Sequence, residues 1–350
     1  MKIDKKEIAG KLAKVRSATL AKTPIHAVQG VLVKGNELTA NNLKMGITAT
    51  LPVEFDEAFI LSPKAMDMIA ALPDGEIEFK RSANGIDMLA KGTKSTFTTI
   101  PADDFPTPVQ PEGGQSSSID ISTLKDLVES VIYAASTNES RPIHTGLLFE
   151  VADGYMNVVA VDGYRLAWNR TEYEGEFKFV VPKETLEKVL KLGISGDVEV
   201  LYTEKNAVFK SEDYTVYTNL LQGEFLNFRQ SMPSHEKHIT VDRKMLLECV
   251  KRALICMDNN LMPLIVCFKD SMMELSIHTS IALYAEEIAV EGDTEKGFRV
   301  GINARYFRDA LNSYKSEFVN ISYNTSTNPI IIKDGDLTSM VLPVRLKEGQ

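Results

Sequence analysis

The feature that most narrows what this chain can fold into is a pattern that it repeats three times. "KIDKKEIAGKLAKV" from Lys2, "SIDISTLKDLVESV" from Ser118 and "HITVDRKMLLECVK" from His238 each pass from a short β-prone stretch into an amphipathic helix. Each third then carries a second helix behind another strand: "FILSPKAMDMIAALP" from Phe59, "FVVPKETLEKVLKLG" from Phe179 and "VGINARYFRDALNSY" from Val300. A turn and a strand follow each time, as "DGEIEF", "SGDVEV" and "SEFVNI". The period is roughly 115–120 residues, a domain length rather than the 20–50 of a solenoid repeat.

Between these landmarks the sequence alternates apolar and polar residues, is rich in β-branched types and is broken by turn residues, which reads as antiparallel sheet. Each repeat is therefore an α+β unit of about eight strands and two helices. Pro63 and Pro182 stand near helix starts, where a missing N–H costs nothing. The linkers "PEGGQSSS" (111–118) and "MPSHEK" (232–237) place domains at 1–117, 118–236 and 237–350. Three domains suit 350 residues, which are too many for one core.

Composition is that of an ordinary globular protein, 44% hydrophobic and 25% charged. No apolar run approaches a bilayer span, and "MKIDKKEIAGKL" lacks a signal-peptide core, so a cytoplasmic protein without membrane association is expected. Cys249, Cys256 and Cys267 fall on apolar segments and read as thiols in a reducing compartment.

A net charge of −9 argues against a polyanionic partner only if it is spread evenly. It is not. Residues 5–16 carry +4, while 241–257 and 303–315 carry +2 each. All six expected helices together sum to +8, which leaves −17 elsewhere. On the fifth helix Leu246, Val250 and Ala253 line one side, and Lys244, Lys251 and Arg252 the other. On the sixth, Tyr306, Ala310 and Tyr314 oppose Arg305, Arg308 and Lys315. Such faces are either solvated or turned to a polyanion. Ile255 breaks the wheel, marking either the end of the helix or a patch for a partner.

Residues 158–170, "VVAVDGYRLAWNR", read as a hairpin turning at Asp162-Gly163, because both turn residues tolerate positive φ. Together "RPIHTGLLFE…VVAVDGYRLA" resembles the bacterial sliding clamps, the beta subunits of DNA polymerase III. "IPADDFP" (100–106), "GINARYFRDAL" (301–311) and the end "MVLPVRL" (340–346), with "KEGQ" beyond it, are similar to further segments of that family. The likeness runs along the whole chain in order. It implies a ring of six domains made by a head-to-tail homodimer, with helices lining the hole and sheets outside. Such a ring encircles double-stranded DNA without reading its sequence and tethers the replicative polymerase for processive replication. Lys and Arg facing phosphates bind without a base register, so a ring can slide.

The resemblance also implies an apolar groove between the second and third domains. Polymerase, clamp loader and repair proteins would insert short linear peptides there. Carried over by position, it comprises His144, Val161, Gly163, Tyr164, Arg165, Leu166, Leu226, Asn303, Tyr306 and the tail Met340, Val341, Leu342, Pro343, Val344 and Arg345. The other reading of Tyr164 and Leu166 is that they fill the sheet core. His144, Val161 and Tyr164 depart from the family's usual leucine, threonine and histidine, and Gln230 and Ser231 from a common arginine and valine. Lys22, Lys64, Arg141 and Lys183 fall at or beside its DNA-facing positions, and the helix faces add Lys11, Lys14, Lys251 and Arg252. At the subunit interface Phe105 would meet Ile255 and Cys256 of the other chain.

Catalytic and cofactor signatures are missing. There is no phosphate-binding GxxxxGK[ST] or GxGxxG, no GxSxG and no triad pattern among five histidines. "HEKH" (235–238) lacks nearby cysteines, so no metal is expected, and Asp103-Asp104 reads as a loop turn. A non-catalytic clamp without cofactor is therefore the leading reading. The alternatives are a scaffold that binds proteins and not DNA, and a hydrolase using Asp103, Asp104 or His144, which has no convergent nucleophile–base pair.

Overall fold

The structure is a computed structural model, and it describes residues 1–83, 85–257 and 262–346. All six expected helices form: Lys5–Val15, Pro63–Ala71, Ile121–Val131, Lys183–Lys191, Arg243–Ile255 and Ala304–Ser313. The sequence starts most of them with a polar cap directly after a strand. Asp4 Oδ1 accepts from Lys6 N at 2.9 Å, Asp120 Oδ1 from Ser122 N at 2.9 Å, and Asp242 Oδ1 from Met245 N at 2.9 Å. Each bond satisfies a donor that the first helical turn leaves orphaned.

Contacts gather the chain into two units, which differ from the three sequence repeats: 1–124 with 184–220, and 125–183 with 221–350. The reason is that the sheets run across the expected boundaries. In the first unit Met45–Leu61 pairs with Tyr214–Asn219, Met45 facing Thr218, so a six-stranded antiparallel sheet joins the first repeat to the second. In the second unit Arg165–Glu172 pairs with Leu337–Val341, Arg165 facing Val341, and a nine-stranded antiparallel sheet joins the second repeat to the third. The first unit also holds a four-stranded sheet with Thr93–Phe97 at one edge. The second holds a five-stranded sheet with Leu283–Ala289 at one edge.

Under the nine-stranded sheet a cluster of Leu148, Val159, Val161, Leu166, Val180, Phe225, Phe228, Ile331 and Met340 is buried, with Ile143, Trp168 and Leu342 packed against it. Leu166 is fully buried, a side chain worth roughly 2–3 kcal/mol to the fold. The chain end leaves this sheet at Val341 and enters the five-stranded one, where Val344 pairs with Gly301. The tail thereby stitches two sheets together. No described helix is long and apolar enough to cross a membrane.

Candidate functional site

The hairpin at Asp162 turns differently from the expected two-residue Asp-Gly turn. Val161 pairs with Leu166, which leaves a four-residue loop, and of its residues only Gly163 has positive φ, at +93°. Asp162 Oδ1 closes the loop by accepting from Tyr164 N at 2.9 Å and Arg165 N at 3.0 Å. The two-residue turn with both φ positive lies one hairpin earlier, at Asp153 and Gly154.

This closure throws Tyr164 outward, 64% exposed, where its ring stacks on Tyr306 at 6.3 Å. Arg165 folds back instead. Its Nε donates to Asp162 Oδ2 at 2.9 Å and its Nη1 to Asp309 Oδ2 at 2.8 Å, and its side chain is only 12% exposed. The guanidinium lies 4.4 Å from the Tyr306 ring centre and 5.3 Å from that of Tyr133. Its charge is balanced before any ligand arrives, so Arg165 acts as a floor that holds the tyrosine pair. Tyr133 is held in turn through Ser339 Oγ at 2.8 Å, and burial pushes its phenol up to about 12.

Asn303 caps the helix that carries Tyr306, its side chain accepting from Arg305 N at 3.0 Å and Tyr306 N at 3.2 Å. His144 meets Phe225 edge-on at 5.7 Å, and burial, with Arg141 nearby, lowers its pKa below the usual value. Leu226 is 39% exposed. Leu342, Pro343 and Val344 are half-buried, Arg345 is exposed, and the Leu342 N–H donates to Tyr164 O at 2.9 Å.

The family-derived residues thus divide into two layers. Val161, Leu166, Met340 and Val341 are core, so for Leu166 the core-filling reading holds; for Tyr164 it fails. The accessible layer is Tyr164, Tyr306, Leu226, His144 and the tail from Leu342. Sequence reasoning missed Asp309 and Tyr133. Asp309 stands three residues beyond Tyr306 on one helix face and could have been found by that spacing. Tyr133, in a single 3-10 turn, left no periodic signal.

The cationic positions also divide. Lys22, Lys64 and Arg141 are exposed, and Lys183 is half-exposed. Lys251 bonds Glu248 at 2.7 Å, and Arg252 grips Glu286 with bonds of 2.6 and 2.9 Å. Tyr284 also donates to Glu286, and these bonds hold the Glu286 carboxyl down at about 2. Lys11 and Lys14, also expected to face DNA, are engaged within the chain. Lys11 Nζ bonds Thr50 O and, at 2.8 Å, Asp213, with its side chain 18% exposed. Lys14 Nζ bonds Leu192 O and lies 5.1 Å from the centre of the Tyr214 ring. Both tie the first repeat to the second, because a half-buried ammonium takes the nearest acceptors.

At the expected subunit contact, Ile255 ends its helix, as one reading of it had, and is 83% exposed. Phe105 is the correction there: it is 5% exposed and packs with Ala27, Leu32 and Ile60, so its ring belongs to its own unit's core. Ile281 and Leu283, 83% and 76% exposed, were not singled out in the sequence. Asp103 and Asp104 form an exposed 3-10 turn. Both ring nitrogens of His235 face backbone oxygens, of Pro233 at 3.0 Å and Pro329 at 2.8 Å, and His238 Nδ1 pairs with Ser322. The terminal "KEGQ" lies outside the described residues.

Comparison with known proteins agrees along the chain. Residues 118–227 match the family described as "DNA polymerase III beta subunit, central domain", and residues 229–345 its C-terminal domain, together about two thirds of the sequence. The chain is 26% identical to a beta sliding clamp of Salmonella typhimurium over 88% of both chains. It is 24% identical to one of Halalkalibacterium halodurans over 92% of both. Among solved structures it shares the fold of the Thermotoga maritima beta subunit, with TM-score 0.90, 23% identity and 99% of each chain covered. It also shares that of a Pseudomonas aeruginosa sliding clamp bound to griselimycin, with TM-score 0.92, 23% identity and 99% of each covered. A threefold α+β repeat whose antiparallel sheets run from one repeat into the next, matched over this length, places the chain in the family of bacterial DNA polymerase III beta sliding clamps.

Proposed function

We propose that the protein is a DNA sliding clamp: a homodimeric ring that encircles duplex DNA and tethers the replicative polymerase in the cytoplasm, without catalytic chemistry of its own. The observation that carries this reading is the bookkeeping of the sheets. Three repeats, with domains at 1–117, 118–236 and 237–350, give two junctions inside the chain, each a sheet continuous across it. The four-stranded sheet of the first repeat and the five-stranded sheet of the third are left to make a third junction with another copy. A head-to-tail contact of that kind closes into a ring if the rotation allows. Ile255 and Cys256, beside Ile281 and Leu283, supply the apolar surface for it.

On this reading the helices line the hole. Lys22, Lys64, Arg141, Lys183 and Lys251 meet phosphates there without a sequence register, so topology supplies the retention. Polymerase, clamp loader and repair proteins would seat Leu- or Phe-containing peptides on the Tyr164–Tyr306 pair, with Leu226 and the tail as walls. Apolar pockets of this kind give affinity through one or two buried anchors.

The test is retention on DNA. The dimer should stay on nicked circular DNA after loading and leave once that DNA is cut open. A complex that salt dissolves but linearisation does not would refute the ring. Reversing Lys64, Arg141 and Lys251 to Glu should cripple loading, whereas a protein-only scaffold would be indifferent.

A further inference from the structure

The Asp162 hairpin has a counterpart in the other unit. There Asn41 faces Gly46 as Val161 faces Leu166. Asn42 Oδ1 accepts from Lys44 N at 3.0 Å and Met45 N at 2.8 Å, the same pair of bonds that Asp162 makes. Leu43 holds φ at +71°, where Gly163 holds +93°. The Asn219 N–H donates to Lys44 O at 3.0 Å, as that of Leu342 does to Tyr164 O. Residues 41–46 therefore stand for 161–166, and Tyr214–Asn219 for Leu337–Val341.

Over this second hairpin lies a cleft of about 240 Å³. A Cβ on Gly46 would come within 2.6 Å of Pro108 Cγ, so Pro108 fills the place that the Leu166 side chain would take. The Pro108 segment is pinned by Asn41 Nδ2, which donates to Pro106 O at 2.7 Å. Leu43 and Val109 stand 47% and 65% exposed on the walls. Among the described residues of the lining, Lys44 is the only Lys, Arg, Asp, Glu or His, and it is exposed. Where the Asp162 hairpin buries a cation already balanced by two carboxylates, this one leaves a cation unbalanced beside two aliphatic ledges. The complement of that surface is a carboxylate next to an aliphatic side chain.

We propose that this cleft is a second peptide site, which takes an extended acidic segment with one aliphatic anchor. The proposal rests on the reading that the Asp162 groove binds peptides. The cleft is smaller than the 300 Å³ or more of an ordinary ligand pocket, so it holds one or two side chains and binds more weakly.

The experiment uses the full chain carrying Tyr164→Ala and Leu226→Ala, which silence the first groove. The probe is a fluorescein-labelled peptide, acetyl-Glu-Asp-Leu-Asp-Glu-amide, with a version bearing lysine at each acidic place. The acidic probe should still bind saturably. Lys44→Glu and Val109→Asp, both at exposed positions, should each weaken it about tenfold or more, the worth of one charge-assisted contact. Lys44→Glu should in turn favour the lysine version. No saturable binding in that background, indifference to both substitutions, or displacement of the probe by an oligo-dT strand would overturn the second site. Failure of the first groove reads separately: a Leu- and Phe-containing pentapeptide would then bind the native chain no better than the doubly substituted one.

Discussion

The hairpins at Asn42 and Asp162 have the same backbone and opposite economies of charge. In both, an Asx side chain closes a four-residue loop and throws the third residue outward. At Asp162 that residue is an aromatic ring, and the next is a cation locked between two carboxylates and two tyrosines. At Asn42 it is the cation Lys44, and the next is Met45, 4% exposed. Loop closure fixes which side chain points out, and the residues placed there decide whether the hairpin offers a stacking surface or a charge.

The largest expected effect falls on the floor of the Asp162 hairpin. Arg165→Ala should cost about 3–4 kcal/mol in urea unfolding, because it removes two short ion pairs and the packing on two tyrosines, leaving Asp162 to its backbone N–H bonds and Asp309 to Arg308. Met45→Ala at the matching place loses packing only, about 2–3 kcal/mol. Equal losses would break the contrast. Next comes Tyr164→Ala, which should leave stability within about 0.5 kcal/mol yet lower the affinity for a Leu- and Phe-containing peptide about thirtyfold in calorimetry. Gly46→Leu, which copies Leu166 into the first hairpin, should destabilise by about 1–3 kcal/mol, since Pro108 already fills that volume. Tolerance there would mean that the two hairpins are more interchangeable than drawn.

The smallest effect is in pH dependence. The 3-10 turn His26–Gln29 ahead of the first hairpin buries Val28 fully, while Pro142–Thr145 ahead of the second carries His144. Burial and Arg141 lower the His144 pKa below 6.5, so between the folded and unfolded values the unfolded chain binds more protons. Stability should therefore fall as pH drops through that window and flatten below it. His144→Gln should remove this part of the slope in thermal melts, and an unchanged slope would assign it elsewhere.

The repeat, the six helices and the antiparallel sheet character were legible in the sequence because each is local, carried by periodicity, caps and turn residues. The exposed Tyr164 and Ile255 were legible for the same reason. Facts set by partners far along the chain were not. That Lys11 and Lys14 spend their charge on Asp213 and on Leu192 O depends on residues some two hundred positions away. The burial of Phe105 depends on Ala27, Leu32 and Ile60, and the two-unit partition on sheet pairings between repeats. The turn at Asp162 was misassigned because Asp-Gly favours a two-residue loop, whereas the Asp162 carboxylate stabilises a wider one.

The chain contains a single tryptophan. Trp168 sits in the apolar cluster behind Tyr164, edge-on to Phe228 at 5.1 Å, with its indole N–H bonded to Asn157 Oδ1 at 3.0 Å. Fluorescence from the unlabelled protein thus originates beside the Asp162 groove and far in sequence from the Asn42 cleft. Filling that groove should shift its emission.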